Sequence, residues 1–194
     1  MALPQAKQDA TEARLAGLTL PEGGWSEIPR REALARLTAM GLPGARDEYW
    51  KYTKPDTLTV AEVPEAAVLV SDEAPLFDAM DRLKIVFVDG VFDADLSSDL
   101  TMEGVEIDLL GDALSKDIHW ARDLYGALEA NGQTPVQRPL AALNTAFATD
   151  GVMIHVTGKP SKPISLTYRH ESTPSAAILL HCTTVQSAAS VTLL

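Results

Sequence analysis

A single cysteine, Cys182, stands in 194 residues. That excludes an internal disulfide and any self-contained cysteine-rich metal or cluster site. No apolar run approaches the roughly 18 residues that a membrane helix needs. Met1 to Ala10 lack the apolar core of a secretory signal. The glycine patterns of the P-loop and of the dinucleotide-binding turn are missing. So are His-Glu-x-x-His, Cys-x-x-Cys and Gly-x-Ser-x-Gly. These absences argue against nucleotide hydrolysis, dinucleotide redox chemistry, zinc hydrolysis and the usual serine hydrolases. They leave open a site assembled from distant residues. A soluble cytoplasmic protein is the simplest expectation.

Apolar residues make up 46% of the chain, enough for a packed core, and the length fits one domain with or without an appendage. The net charge of −11 is unevenly placed, because residues 56–117 hold 16 acids against 3 bases. An acidic field repels phosphate backbones, which argues against nucleic-acid binding. The window reads as a solvated surface that maintains solubility, with an acidic docking patch for a basic partner as the sharper alternative.

The N-terminal part has helical spacing. Ala10 to Leu18 is alanine-rich, and Leu34, Leu37 and Met40 fall three apart after Pro29. Gly41 sits where a helix cap belongs, and Pro43 follows. Ala74 to Arg82 is compatible with a short helix whose first turn holds Pro75. Two apolar runs flank Asp89-Gly90, a hairpin signal. Val105, Ile107 and Leu109 alternate as a strand would. Trp120, Leu124 and Leu128 predict a helix over 119–130 that ends at Asn131-Gly132. Leu140, Leu143 and Phe147 predict another over 139–148.

From Asp150 the texture changes. Alternating runs begin near residues 152, 164, 177 and 190, with Gly158, Pro160 and Thr173-Pro174-Ser175 in the turns. Short strands at such spacing suggest a sandwich, a barrel or a β-solenoid. The last run meets Leu194 inside an apparent strand. We therefore expect a piece of a longer protein, whose open β end self-associates or is covered by its own helices.

Two places invite a chemical reading. The first is Arg46-Asp47-Glu48-Tyr49-Trp50-Lys51-Tyr52-Thr53, dense in charge and rings in a chain that is only 6% aromatic. It reads either as an aromatic platform beside Arg46 and Lys51, or as an anchor. In the anchor Trp50 is buried, and Arg46 and Lys51 pair with Asp47 or Glu48. No nucleophile or base accompanies the block, which favours the anchor. The second is the set His155, His170, His181 and Cys182. Stacked coils would bring these near one another as ligands for a soft or borderline metal, and that would make the chain a metal-dependent β-helix or cupin-like enzyme. The plainer reading makes Cys182 a small buried apolar residue and the histidines ordinary surface or turn residues. Asp89-Gly90 and Asp150-Gly151 read as turns rather than metal loops. No catalytic, cofactor-binding or metal residue is assigned.

Gly41-Leu42-Pro43…Arg46-Asp47-Glu48-x-Trp50-Lys51-Tyr52-Thr53 resembles the N-terminal signature of the SufD family of iron–sulfur cluster assembly subunits. Phe87-Val88-Asp89-Gly90-Val91-Phe92 with Leu96-Ser97 is similar to that family's next segment. Ala142-Leu143-Asn144-Thr145-Ala146-Phe147-x-x-Asp150-Gly151 with Ile154-His155-Val156 resembles the entry to its β-helical core. Lys162-Pro163-Ile164 and Ala189-Ser190-Val191-Thr192-Leu193 follow in order. The sister SufB family shares the later region but not the first signature. The resemblance implies an α+β chain. An N-terminal helical or mixed region, residues 1–138, precedes the first coils of a right-handed parallel β-helix, residues 139–194. It also implies a non-catalytic subunit that contacts SufB-like and SufC-like partners in the cytoplasm. The iron–sulfur cluster and a reduced flavin would then belong to the complex rather than to this piece. The family's known contact and ligand positions have no counterpart here, and neither His181 nor Cys182 matches one.

Overall fold

The computed structural model describes residues 3–45, 47–64, 76–171, 174 and 176–194. In chain order the helices are α1 Gln5–Ala16, α2 Glu27–Met40, α3 Asp56–Thr59, α4 Leu110–Ser115, α5 Ala127–Asn131 and α6 Pro139–Phe147. The strands are β1 Leu83–Val88, β2 Val91–Asp93, β3 Val105–Leu109, β4 Val152–Val156, β5 Ile164–Arg169 and β6 Cys182–Val185. The chain is thus mixed α and β, as expected. Met1, Ala2, Arg46, residues 65–75, Ser172, Thr173 and Ser175 lie outside the described residues. They include the start of the expected 74–82 helix and part of the acidic window. Among the described residues no helix is long and apolar enough to cross a membrane.

The described residues fall into two compact units. One draws on Met1–Pro64, Leu114–Thr149 and Ile178–Leu180, the other on Glu65–Ala113, Asp150–Ala177 and His181–Leu194. In the helical unit, Ala33, Leu37 and Met40 of α2 pack with Ala142, Leu143, Ala146 and Phe147 of α6. Alanines at the contact let the two backbones approach closely. Each buried leucine or phenylalanine contributes about 1.5–3 kcal/mol relative to exposure. The buried face of α2 runs Arg30, Ala33, Leu37, Met40, so it includes an arginine that hydrophobic spacing passes over.

Arg30 is 1% exposed and has no carboxylate partner among the described residues. Its Nε donates to Ser26 Oγ at 3.1 Å, and its two terminal nitrogens donate to the carbonyls of Ala146 (2.9 Å) and Ala148 (2.8 Å). The guanidinium lies 5.4 Å from the Tyr125 ring centre, and Tyr125 Oη donates to the Thr145 carbonyl at 2.8 Å. A helix end leaves carbonyls without partners, which a glycine in the left-handed region usually helps to satisfy. Helix α6 ends instead at Ala148, with φ −56°, and Arg30 supplies the donors. A cation at this end also suits the helix dipole. Burial lowers the Arg30 pKa, opposed by Tyr125.

The α2 cap forms as expected. Gly41 takes φ 67°, and its N–H donates to the Leu37 carbonyl at 2.8 Å. The 119–130 helix does not form as one piece. A 3-10 turn covers Trp120–Asp123, Gly126 adopts φ 71°, and α5 follows. A Cβ on Gly126 would sit 2.9 Å from Thr145 Cγ2, so close approach to α6 breaks the helix there. Leu124 and Leu128 consequently stay exposed. Leu76 to Arg82 is turn rather than helix, and Phe77 there has φ 62°.

In the second unit, β1 and β2 form the expected hairpin with Asp89 at φ 50° and Gly90 at φ 86°, the dihedrals of a type I′ turn. β5 joins β1 in parallel from Leu83↔Ile164 to Val88↔Arg169, giving the order β2-β1-β5. Ser97 and Ser98 hydroxyls accept from the N–H groups of Val86 and Lys84, both at 2.9 Å, beside β1. A second sheet has the order β3-β4-β6, with β3 antiparallel and β6 parallel to β4. Met153 pairs with Cys182, and Ile164 bridges to Leu193, both in parallel at an offset of 29 residues. The third strand begins at Cys182 rather than near 177, because Ile178 packs on the helical core instead.

Replacing Arg30 by methionine keeps the bulk but strands two helix-end carbonyls, at about 1–3 kcal/mol each. Urea unfolding followed by circular dichroism should show Arg30→Met less stable by roughly 3–5 kcal/mol. Arg30→Lys should fall between it and the wild type.

Candidate functional site

The aromatic block sits after Gly41-Leu42-Pro43, where the chain leaves α2. Thr11 of α1 fixes that exit: its hydroxyl donates to the Lys7 carbonyl and accepts from Leu42 N–H at 2.9 Å. Asp47 then takes hydrogen bonds from Lys7 Nζ at 2.9 Å and Gly44 N–H at 3.0 Å. Burial alone would raise the Asp47 pKa, but these bonds and the Lys7 charge outweigh it and lower it. Glu48–Trp50 forms a 3-10 turn. Lys51 Nζ stands 4.0 Å from Glu48 and 5.4 Å from the Tyr52 ring centre.

Lys51 pairs with Glu48 as the anchor reading expects, but the other contacts correct that reading. Asp47 pairs with Lys7, a partner that sequence proximity did not suggest, and Arg46 lies outside the described residues. Tyr49 and Tyr52 are 64% and 92% exposed, and Trp50 is half-buried. Trp50 and Tyr49 line an open groove of about 780 Å³, whose other wall is Gln133 to Gln137 with Pro139. The two rings meet edge-on, 6.2 Å between centroids. Besides rings and amides the groove holds the Lys7–Asp47 pair, Glu48 and Thr134, and among the described residues that line it there is no nucleophile paired with a base.

The histidine set is not brought together. His155 lies across from Glu106 at 3.4 Å and contacts the Gln186 amide at 3.1 Å. His170 Nδ1 is 3.8 Å from Asp89. His181 Nδ1 accepts from Val152 N–H at 3.0 Å, so in the neutral ring Nε2 carries the proton and donates to Tyr168 Oη, also 3.0 Å away. Phe87 packs against both, 5.4 Å from His181 and 5.9 Å from Tyr168. Cys182 is half-buried beside Met153, and burial pushes its thiol up to about 11. A thiol held that high is a poor thiolate ligand or nucleophile. Among the described residues no three His, Cys, Asp or Glu side chains gather in a way that would hold a metal ion.

His181 was expected at the surface. It is instead a half-buried strut, which a lone histidine between leucines and cysteine does not announce. Burial lowers its pKa below the usual 6.5, opposed by Asp150. The folded state therefore prefers the neutral ring. The resulting stability is fully present above pH 6.5 and is lost as pH falls through the lowered folded value.

Two measurements follow. Trp50→Ala should cost about 1–2 kcal/mol in urea unfolding, short of a full core penalty, because the ring is only half-buried. The urea midpoint of the wild type, followed from pH 7.5 to 5, should fall more steeply than that of His181→Asn. The difference isolates the His181 proton.

None of the curated proteins compared matches the chain. A family match covers β1 to β4 and the helices between them, and reaches the first residue of β5. It leaves out the Gly41 to Thr53 block and does not separate SufD from SufB. Residues 76–164 match the family described as the SufBD protein N-terminal region.

Proposed function

We propose that the chain is a non-catalytic, SufD-type subunit of an iron–sulfur cluster assembly scaffold, acting through protein contacts with SufB-like and SufC-like partners in the cytoplasm. The observation that carries this is the family match over residues 76–164. The Gly41 to Thr53 signature, which lies N-terminal to that stretch, supports the SufD side of the pair. The two parallel pairings at an offset of 29 residues fit a β-helix whose turn takes that many residues and two strands. In a solenoid each coil pairs with the next, so equal offsets in two sheets are what stacking requires. His155 and His181, each held by strand-to-strand hydrogen bonds, fit structural roles in such a stack. The cluster is then cargo of the complex, as is any reduced flavin associated with it.

Co-expression of the full gene product with SufB-like and SufC-like proteins tests the reading. The expected result is one stable complex on size exclusion that contains all three. Elution of this subunit alone, while the other two remain associated, would overturn it.

A further inference from the structure

In the acidic window of residues 56–117 the three bases are Arg82, Lys84 and Lys116. Two of the three line the same cavity, an opening of about 670 Å³ on one face of the β1–β5 pair. Strand alternation explains the convergence. Lys84 and Val86 share a face of β1. Their parallel partners are Ser165 and Thr167 of β5, and Arg169 follows opposite Val88. Leu76, Phe77 and Leu96 supply apolar walls.

Only part of the donor capacity there is spent. Arg82 has only 8% of its side chain exposed, and its Nε is buried with no hydrogen-bond partner. Its Nη1 donates to the carbonyls of Phe77 and Met80, and Nη2 stands 4.0 Å from Asp78, the one carboxylate side chain among the described residues that line the cavity. Arg169 pairs with Glu171 at 2.7 Å, half-exposed. Among the described residues the Lys84 ammonium has no ion pair, and the Ser165 and Thr167 hydroxyls have no hydrogen-bond partner. Ser165 is nevertheless buried. Hydroxyls and cations on one face beside apolar walls suit an oxyanion head and an apolar body. Against a chain of net charge −11, such a cationic island also favours that sign locally.

We propose that this cavity binds a small organic anion carrying an apolar body. The site is separate from the aromatic groove and does not depend on the assembly role.

The test uses the full chain and 8-anilinonaphthalene-1-sulfonate, an aryl sulfonate whose fluorescence rises in apolar surroundings. One equivalent should bind, more weakly as salt increases. Decanoate should displace it at least tenfold better than decanol or inorganic phosphate. Lys84→Gln and Arg169→Gln should each weaken binding about tenfold, whereas Lys116→Gln should not. Thr167→Val, close in volume, guards against a folding artefact and should weaken binding with an unchanged circular dichroism spectrum. Equal displacement by decanol and decanoate would reduce the cavity to an apolar patch and overturn the proposal. Wild-type binding in both Lys84→Gln and Arg169→Gln would also overturn it.

Discussion

A buried guanidinium with no carboxylate partner among the described residues is the constraint on which the helical unit depends. Desolvating an arginine is costly and is offset only by hydrogen bonds of good geometry. Arg30 finds those bonds at the C-terminal end of α6, where helix-end carbonyls lack intrahelical donors. Without Arg30 the carbonyls of Ala146 and Ala148 would be buried and unpaired. Without those carbonyls Arg30 could not be buried. The two problems cancel, and the cancellation sets the register between α2 and α6, because a fork with fixed spacing accepts only one placement of two carbonyls. Ser26 and Tyr125 complete the shell. Apolar packing between Leu37, Leu143 and Phe147 supplies the larger energy, but oily contacts tolerate sliding, whereas the fork does not.

That division explains what could be read from the residues alone. Turns with their own chemistry were legible: Asp89-Gly90 makes its hairpin and Gly41 its cap. So were the alternating runs that became β3, β4 and β5. Features set by distant partners were not. Arg30 looks like a surface residue until Ala146 and Ala148, more than a hundred positions later, are placed beside it. Gly126 breaks a periodic helix only because Thr145 lies against it. Residues 178–182 look like a strand, yet Ile178 is taken by the helical core and the strand starts later. In each case a local preference loses to a contact that no window of sequence contains.

The histidines show the same logic at the level of chemistry. Proximity along stacked strands is a reason to suspect a ligand set, since parallel pairing repeats side chains at fixed spacing. Here the pairing puts His155 opposite Thr184 and Met153 opposite Cys182. His181 precedes the strand and turns its ring to the Val152 N–H. His170 and His181 sit just beyond strand ends and His155 within β4, each a polar filler beside a backbone group or a carboxylate. A neutral ring with one accepting and one donating nitrogen can join a backbone amide to a phenol, and few other side chains offer both at that distance.

The aromatic block is a dense cluster that neither the core nor these strand contacts absorb. Burial would have made it an anchor, but Tyr49 and Tyr52 are largely exposed and Trp50 is shared between packing and the groove. Large rings left half in water lose part of their possible stabilisation. Exposed rings fixed by a local scaffold suit recognition of another chain, because their conformational freedom is already reduced before contact. The Lys7–Asp47 pair provides such a scaffold by pinning the residue that precedes the 3-10 turn. A subunit that works through contacts would need surfaces of this kind, held in place before a partner arrives.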